Sequence, residues 1–146
     1  MVGGVTLTVA ERAALLSRVS LFAGLPEASL QALAELAGEV EFGDGDAIVL
    51  QGQVGTGLFV IVAGAARVVR GGEELDRLGP GDYLGELAVI DRMPRMASVF
   101  AVGPTTCLAL ASWDLFRRVD GDPELVHSLL RGLALRVRHL SEHHSH

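Results

Sequence analysis

The hydrophobic pattern of the first forty residues predicts two short amphipathic helices. Residues 8–11 have the sequence Thr-Val-Ala-Glu, a helix capping box, and leucine and valine follow at helical spacing, so we expect a first helix over residues 10–19. Pro26 suits the first turn of a second helix, which carries apolar residues on one face and ends near Gly38. The N-terminal region, residues 10–38, is therefore predicted to be a helical pair.

The pattern changes to short apolar runs between residues 40 and 111. Runs rich in Val, Ile, Leu and Phe alternate with Gly, Asp and Pro about every eight to twelve residues, which is typical of an antiparallel β-barrel or sandwich. Glycine suits the turns because it adopts positive φ at little cost. The stretch YLGELAVI differs from its neighbours, and we expect one turn of helix there, between strands.

The last third of the chain, residues 112–141, is predicted to be helical again. Ser112 can cap a short helix, and Asp122-Pro123 opens a longer one whose apolar residues follow a three-four spacing close to that of a coiled coil. Two interpretations of this stripe remain open, packing on the chain's own barrel or pairing in a homodimer. Residues 142–146 are expected to be a flexible tail. The stripe consists of Val126, Leu129, Leu133, Val137 and Leu140.

Composition and charge narrow the class of protein. A chain of 146 residues with one cysteine suits a single domain, residues 1–146, without a disulfide framework, and Cys107 in an apolar run is expected to be a buried, inert thiol. A net charge of −6 argues against a broad nucleic-acid-binding face. The N-terminus lacks a signal-peptide pattern, and the longest apolar run, residues 58–66, is far below the about 18 residues that span a bilayer. We therefore expect a cytoplasmic protein with no membrane span.

Catalytic and metal-binding patterns are weak in this sequence. The stretch GQVGTG at residues 52–57 lacks the Gly-Lys-Ser/Thr ending of a P-loop and is expected to be a turn. All histidines fall in the final helix and tail, so no catalytic triad is indicated. A metal at the tail is not expected either, since no second group of ligands supports it. The tail residues concerned are Glu142, His143, His144 and His146.

The segment GELAVIDRMPRMAS, which starts at Gly85, carries the most specific combination of residues. A short helix beginning at residues 85–88 presents free backbone N–H groups and a positive dipole end that attract an anion. Arg95 offers a two-pronged donor to phosphate oxygens, and the Glu86 carboxylate accepts from a hydroxyl such as a ribose 2′-OH. The alternative is that Glu86 and Arg95 form an ordinary surface ion pair.

This segment resembles the phosphate-binding cassette of cyclic-nucleotide-binding domains, the family of protein kinase A regulatory subunits, the catabolite activator protein and cyclic-nucleotide-gated channels. The nine-residue step from Glu86 to Arg95 is similar to the kinase-type spacing, and the similarity extends over residues 20–119. The resemblance implies a mainly β fold with flanking helices, an antiparallel jelly-roll-like β-barrel (double-stranded β-helix). The cassette, residues 85–98, would form part of a barrel over residues 40–111.

The resemblance also implies a ligand and its contacts. Glu86 would accept the ribose 2′-OH, Arg95 would pair with the cyclic phosphate, and backbone amides of the cassette would complete the pocket. Met96 stands where cGMP-selective members often carry Thr, so the resemblance implies cAMP rather than cGMP, with no cofactor. The implied ligand-binding residues are Gly85, Glu86, Leu87, Ala88, Arg95, Met96, Ala97 and Ser98.

The output of such a domain remains open at this point. No aromatic lid for the base is identifiable, and Leu133, Arg136 or Leu140 would cover it instead. The chain stops at His146, without the helix-turn-helix that the family's transcription factors carry, so we expect no direct nucleic-acid binding. It would be a stand-alone sensor or part of a longer protein with an unidentified effector. The rival hypotheses are a degenerate interaction module without nucleotide and, in a different class, a cyclic-nucleotide hydrolase.

Overall fold

Helices flank a central antiparallel sheet, in the order that the sequence predicts. The computed structural model describes residues 6–55, 57–86 and 93–144. The helical elements are α1 (Val9–Leu16), a 3₁₀ turn (Ser20–Phe22), α2 (Glu27–Leu36), α3 (Ser112–Val119) and α4 (Pro123–His144). The strands are β1 (Gly38–Phe42), β2 (Ala47–Val49), β3 (Gly57–Arg70), β4 (Glu73–Leu78), β5 (Tyr83–Leu84) and β6 (Ser98–Ala111).

The strands form one sheet whose central members are β3 and β6. The order is β1-β6-β3-β4, with β2 also paired to β6 and β5 to β3, and every pairing is antiparallel. The prediction of an antiparallel β fold with flanking helices is confirmed. Among the described strands no pairing joins β1 to β4, so the sheet is open rather than a closed barrel. Register shifts bend β3 near Gly64, whose positive φ of 94° and close approach to Pro104 leave no room for a side chain.

The N-terminal end of α1 forms as its sequence predicts. The Thr8 hydroxyl accepts from the Glu11 N–H at 3.1 Å, and the Glu11 carboxylate accepts from the Thr8 N–H at 2.9 Å, which completes the capping box. The helix ends at Leu16 rather than at residue 19, because the chain turns toward the 3₁₀ segment. The capping pattern therefore fixed the start of this helix but not its end.

Two further helix ends differ from the prediction. Pro26 is the N-cap of α2 rather than a first-turn residue, and Gly38 already belongs to β1. The N-cap of α3 is Ala111 rather than Ser112, which is the first helical residue. Helix α2 thus begins later than the side-chain pattern indicated, whereas α3 begins one residue earlier.

The main core lies between the helices and one side of the sheet. It joins the 3₁₀ turn, α2, β3, β6 and the beginning of α4. Its fully buried side chains include Phe22, Leu33, Leu58, Leu108 and Leu125. Because α4 contributes to this cluster and contacts the 3₁₀ turn and α3, the helix packs on the chain's own core.

The apolar stripe of α4 is divided between this core and solvent. Leu129 is buried and Leu133 packs against the core, whereas Val126 and Val137 are exposed. The side chain of Leu140 lies outside the described part of the chain. The stripe is therefore divided: of the two interpretations left open, packing on the chain's own core applies to Leu129 and Leu133.

Cys107 is buried in a second, smaller core cluster, and burial raises the pKa of its thiol to about 11. At pH 8 only about one thiol in a thousand is then ionised. We expect no labelling by a thiol reagent within minutes at pH 8 in the folded protein and complete labelling after unfolding in urea. Rapid labelling of the folded protein would contradict the assigned burial.

Candidate functional site

A cavity of about 500 Å³ lies against the sheet and contains most of the described cassette residues in its wall. Gly85, Glu86, Arg95, Met96 and Ala97 line it, together with Arg136 of α4. The rest of the wall is mainly apolar and comes from the sheet, with side chains that include Val49, Val68, Leu78, Tyr83, Leu84 and Val99. The structure thus brings five of the eight predicted ligand-binding residues to one cavity.

The other three predicted residues have different positions. Leu87 and Ala88 lie outside the described residues, as does most of the helical turn expected in this segment. Ser98 begins β6 and is not part of the cavity wall, and its hydroxyl accepts from the Gln51 N–H at 2.9 Å. This serine fixes a turn of the backbone next to the site.

The backbone of Arg95 is fixed by the glycine-rich turn that precedes β3. Val54 and Pro94 form a β-bridge, the Arg95 N–H donates to the Gln53 carbonyl at 2.8 Å, and the Arg95 carbonyl accepts from Gly52 at 2.9 Å. The stretch GQVGTG therefore begins as a turn, as predicted, but Val54 lies in the bridge and its last residue already begins β3. Its backbone hydrogen bonds hold the Arg95 backbone in place.

The guanidinium of Arg95 lies half-buried between two glycines. Its Nη2 donates to the Gly57 carbonyl at 2.7 Å, and burial lowers the pKa of the Arg95 side chain. Gly85 has a φ of 81°, and a Cβ there would overlap Arg95 Nη1. Gly85 is thus required both by its left-handed backbone and by the arginine that lies against it.

The carboxylate of Glu86 is buried, with 5% of the residue exposed, and is held by three donors. Its Oε2 accepts from the Ser20 hydroxyl at 2.5 Å and from the Leu21 N–H at 2.7 Å. Its Oε1 forms an ion pair with Nη1 of Arg136. The alternative of a surface pair between Glu86 and Arg95 is wrong, because Glu86 is buried and its ion pair is with α4.

Sequence reasoning missed the partners of both charged residues. Ser20 and Glu86 are 66 positions apart in the chain, and the Tyr83 hydroxyl donates to the same serine at 3.3 Å. Neither Ser20 nor Gly57 belongs to a spacing pattern that indicates such a contact. Arg136, one of the three residues expected to cover a base, lines the cavity and also reaches Glu86.

The described part of the chain contains neither a cluster of metal-ligating side chains nor a helix that could span a membrane. No group of three or more His, Cys, Asp or Glu there is placed to hold a metal ion. The side chains of Glu142, His143, His144 and His146 lie outside it. None of the described helices has the length and apolar character to span a membrane.

The fold and the arrangement of this site match one protein family. The family model for the cyclic nucleotide-binding domain matches residues 39–122, which is more than half of the chain. The chain belongs to the cyclic nucleotide-binding domain family. The resemblance inferred from the cassette sequence is thereby confirmed.

Relatives of this chain occur in several regulatory proteins. It is 33% identical over 128 residues to a cGMP-dependent protein kinase of Toxoplasma gondii, covering 88% of this chain and 13% of the kinase. It is 30% identical over 129 residues to a CRP-like cAMP-activated global transcriptional regulator of Mycobacterium tuberculosis, covering 85% of this chain and 58% of the regulator. The chain therefore spans only part of the length of either relative.

A solved structure extends this comparison to the fold. The N-terminal domain of a transcriptional regulator from Streptomyces coelicolor A3(2) superposes with a TM-score of 0.80 and 32% sequence identity. The match covers 90% of this chain and 94% of that domain. The helices and sheet described above thus correspond to most of that domain.

Proposed function

We propose that this chain is a one-domain regulatory module that binds a cyclic nucleotide, cAMP in preference to cGMP. The observation that carries the proposal is that Gly85, Glu86 and Arg95 share the wall of one cavity of about 500 Å³. A cavity of this size suits a small ligand. Arg95 would bind the cyclic phosphate and Glu86 the ribose 2′-OH, with the cassette amides, those of Leu87 and Ala88 included, completing the phosphate pocket.

The hydrogen bonds already present leave capacity for these contacts. A guanidinium has five N–H donors, of which the Gly57 carbonyl occupies one, so Arg95 retains donors for two phosphate oxygens. A carboxylate oxygen has two lone pairs, so Oε1 of Glu86 can accept a ribose hydroxyl while it contacts Arg136. Binding in this arrangement does not require the buried network to break.

The preference for cAMP is proposed from Met96. This residue is 76% exposed, lines the cavity and provides no hydroxyl for guanine. The two relatives named above differ in the nucleotide that their names give, since the kinase is cGMP-dependent and the transcriptional regulator is cAMP-activated. We therefore expect discrimination between the two nucleotides to be a matter of degree.

Titration calorimetry with cAMP and with cGMP tests the proposal directly. We expect saturable binding of both, tighter for cAMP, and an increase in the melting temperature on addition of ligand. No heat and no thermal shift at millimolar ligand would contradict nucleotide binding. Incubation with cAMP followed by chromatography should return cAMP unchanged, whereas formation of AMP would indicate a hydrolase.

A second candidate function is an interaction module that has the fold but binds no nucleotide. It is favoured by the internal partners of both charged residues and by exposed apolar side chains on α3 and α4. These side chains suit a homodimer or a separate effector protein. Light scattering would show whether the chain dimerises, and dimers without nucleotide binding would favour this candidate. The exposed side chains include Trp113, Phe116, Val126, Leu130, Leu135 and Val137.

Signal transmission in the proposed module would be a population shift. A nucleotide moves such an equilibrium only by contacting one arrangement better than the other, and Arg95 with the cassette backbone would supply those contacts. The elements expected to move are the cassette segment and the C-terminal helices α3 and α4. A cytoplasmic location and coupling to an effector domain or protein stay predictions.

A further inference from the structure

Helix α4 approaches the backbone of the 3₁₀ turn unusually closely at Gly132. A Cβ on Gly132 would overlap the carbonyl oxygen of Leu21 and lie only 3.0 Å from its carbonyl carbon. The N–H of Leu21 donates to Oε2 of Glu86 at 2.7 Å. The backbone of Leu21 therefore lies between the cavity on one side and α4 on the other.

A second contact between the same elements lies one helical turn further along. Arg136 follows Gly132 by four residues, so the two positions share one face of α4. Arg136 pairs with Glu86, whose side chain is only 4% exposed, whereas the arginine side chain is 36% exposed. Gly132 thus contacts the backbone of Leu21. Arg136 contacts the Glu86 carboxylate that accepts from the Leu21 N–H.

We propose that Gly132 and Arg136 form a two-point latch that holds α4 on the Ser20–Phe22 turn and positions the Glu86 carboxylate. Gly132 permits the close approach, and Arg136 supplies the charge that a buried carboxylate requires. The latch couples the position of α4 to the cavity, because Glu86 lines the cavity and also pairs with Arg136 of α4. Coupling of this kind is reciprocal. The factor by which a bound ligand changes the docking equilibrium of α4 equals the factor by which docking of α4 changes the affinity for that ligand.

Amide hydrogen exchange of the ligand-free protein tests the latch. In Arg136→Met, which keeps an unbranched side chain about as long as the arginine's aliphatic stem but removes the guanidinium and its charge, we expect the α4 amides beyond residue 130 to exchange about tenfold faster. Arg136→Lys should lie between the two because it keeps the charge. Arg138→Met, on an exposed side chain of the same helix, should behave like the parent.

Exchange in β3 and β6 serves as an internal reference for global unfolding. These strands form the centre of the sheet, and their exchange should be unchanged if only α4 is released. Should Arg136→Met fail to fold, Arg136→Lys and the glycine variant below still decide the question. Equal α4 exchange in the parent, Arg136→Met and Arg138→Met would overturn the role of the arginine.

Gly132→Ala separates the latch from intrinsic helix propensity, because the two predict opposite changes. Alanine favours a helix over glycine, so propensity alone predicts slower exchange in α4. The latch predicts faster exchange, since the added Cβ pushes the helix from Leu21 and away from the contact of Arg136 with Glu86. Slower exchange in Gly132→Ala would overturn the close-approach half of the latch.

The ligand-dependent part of the inference rests on the proposed nucleotide binding. With cAMP at a concentration that calorimetry shows to saturate each variant, ligand should change the exchange of α4 in the parent and in Arg138→Met. In Arg136→Met most of that change should be lost, at whatever higher concentration this variant needs for saturation. The same ligand effect on α4 in Arg136→Met and in the parent would overturn the coupling. If the parent binds neither cAMP nor cGMP, the proposed function fails, and the ligand-free comparison still decides whether the latch exists.

Discussion

Replacement of Arg95 by alanine is expected to weaken cAMP binding by about 2–5 kcal/mol, because a bound phosphate loses its charge partner in a partly desolvated site. The guanidinium is half-buried and donates to Gly57 at 2.7 Å. Stability should change little, since Arg95 has only this one side-chain hydrogen bond to the chain among those described. Titration calorimetry of the ligand and urea unfolding of the ligand-free protein measure the two effects separately.

Two further arginine variants make this prediction specific. Arg95→Lys keeps the charge but lacks the planar fork, so its affinity should also fall, though less than that of the alanine variant. Arg70→Ala removes an exposed arginine of β3 and should bind like the parent. Equal affinity of Arg95→Ala and the parent would reject Arg95 as the phosphate ligand.

The sequence contains enough local information to predict the fold class. A capping box at Thr8 starts α1, a Pro and a long three-four repeat start α4, and the glycine-spaced apolar runs become strands. These signals depend on residues a few positions apart, where the backbone geometry of helix or strand determines which side chains share a face. The cassette is equally local, since Gly85 to Arg95 lies within one short segment.

The partners of the cassette side chains could not be predicted in the same way. Glu86 binds Ser20 and Arg136, which come from opposite ends of the chain and meet only after both helical regions pack on the sheet. A periodic pattern also cannot say which half of a stripe is buried, which is why Leu129 and Val137 of one repeat have different environments. Long-range packing therefore determines the partners of Glu86 and which residues of the α4 stripe are buried.

Replacement of Glu86 by alanine is expected to destabilise the protein even without ligand. The carboxylate accepts from the buried Leu21 N–H, from Ser20 and from Arg136, and alanine leaves these donors without their acceptor. We expect the free energy of unfolding to fall by about 2–4 kcal/mol, since an unpaired buried donor costs about 1–3 kcal/mol and the partly exposed Arg136 is rehydrated. Urea unfolding followed by circular dichroism measures this change.

The matched variants decide whether that loss comes from the buried network. Glu86→Gln keeps one acceptor oxygen and should lose less stability than Glu86→Ala, whereas Glu73→Ala, at an exposed position of β4, should unfold like the parent. Glu86→Ala should lose more stability than Arg95→Ala but less affinity for the nucleotide. The reason is that water replaces a hydroxyl acceptor more readily than it replaces the charge partner of a phosphate. Unchanged urea unfolding of Glu86→Ala would show that this carboxylate does not join the 3₁₀ turn to α4, and the coupling of cavity and helix would then need another route.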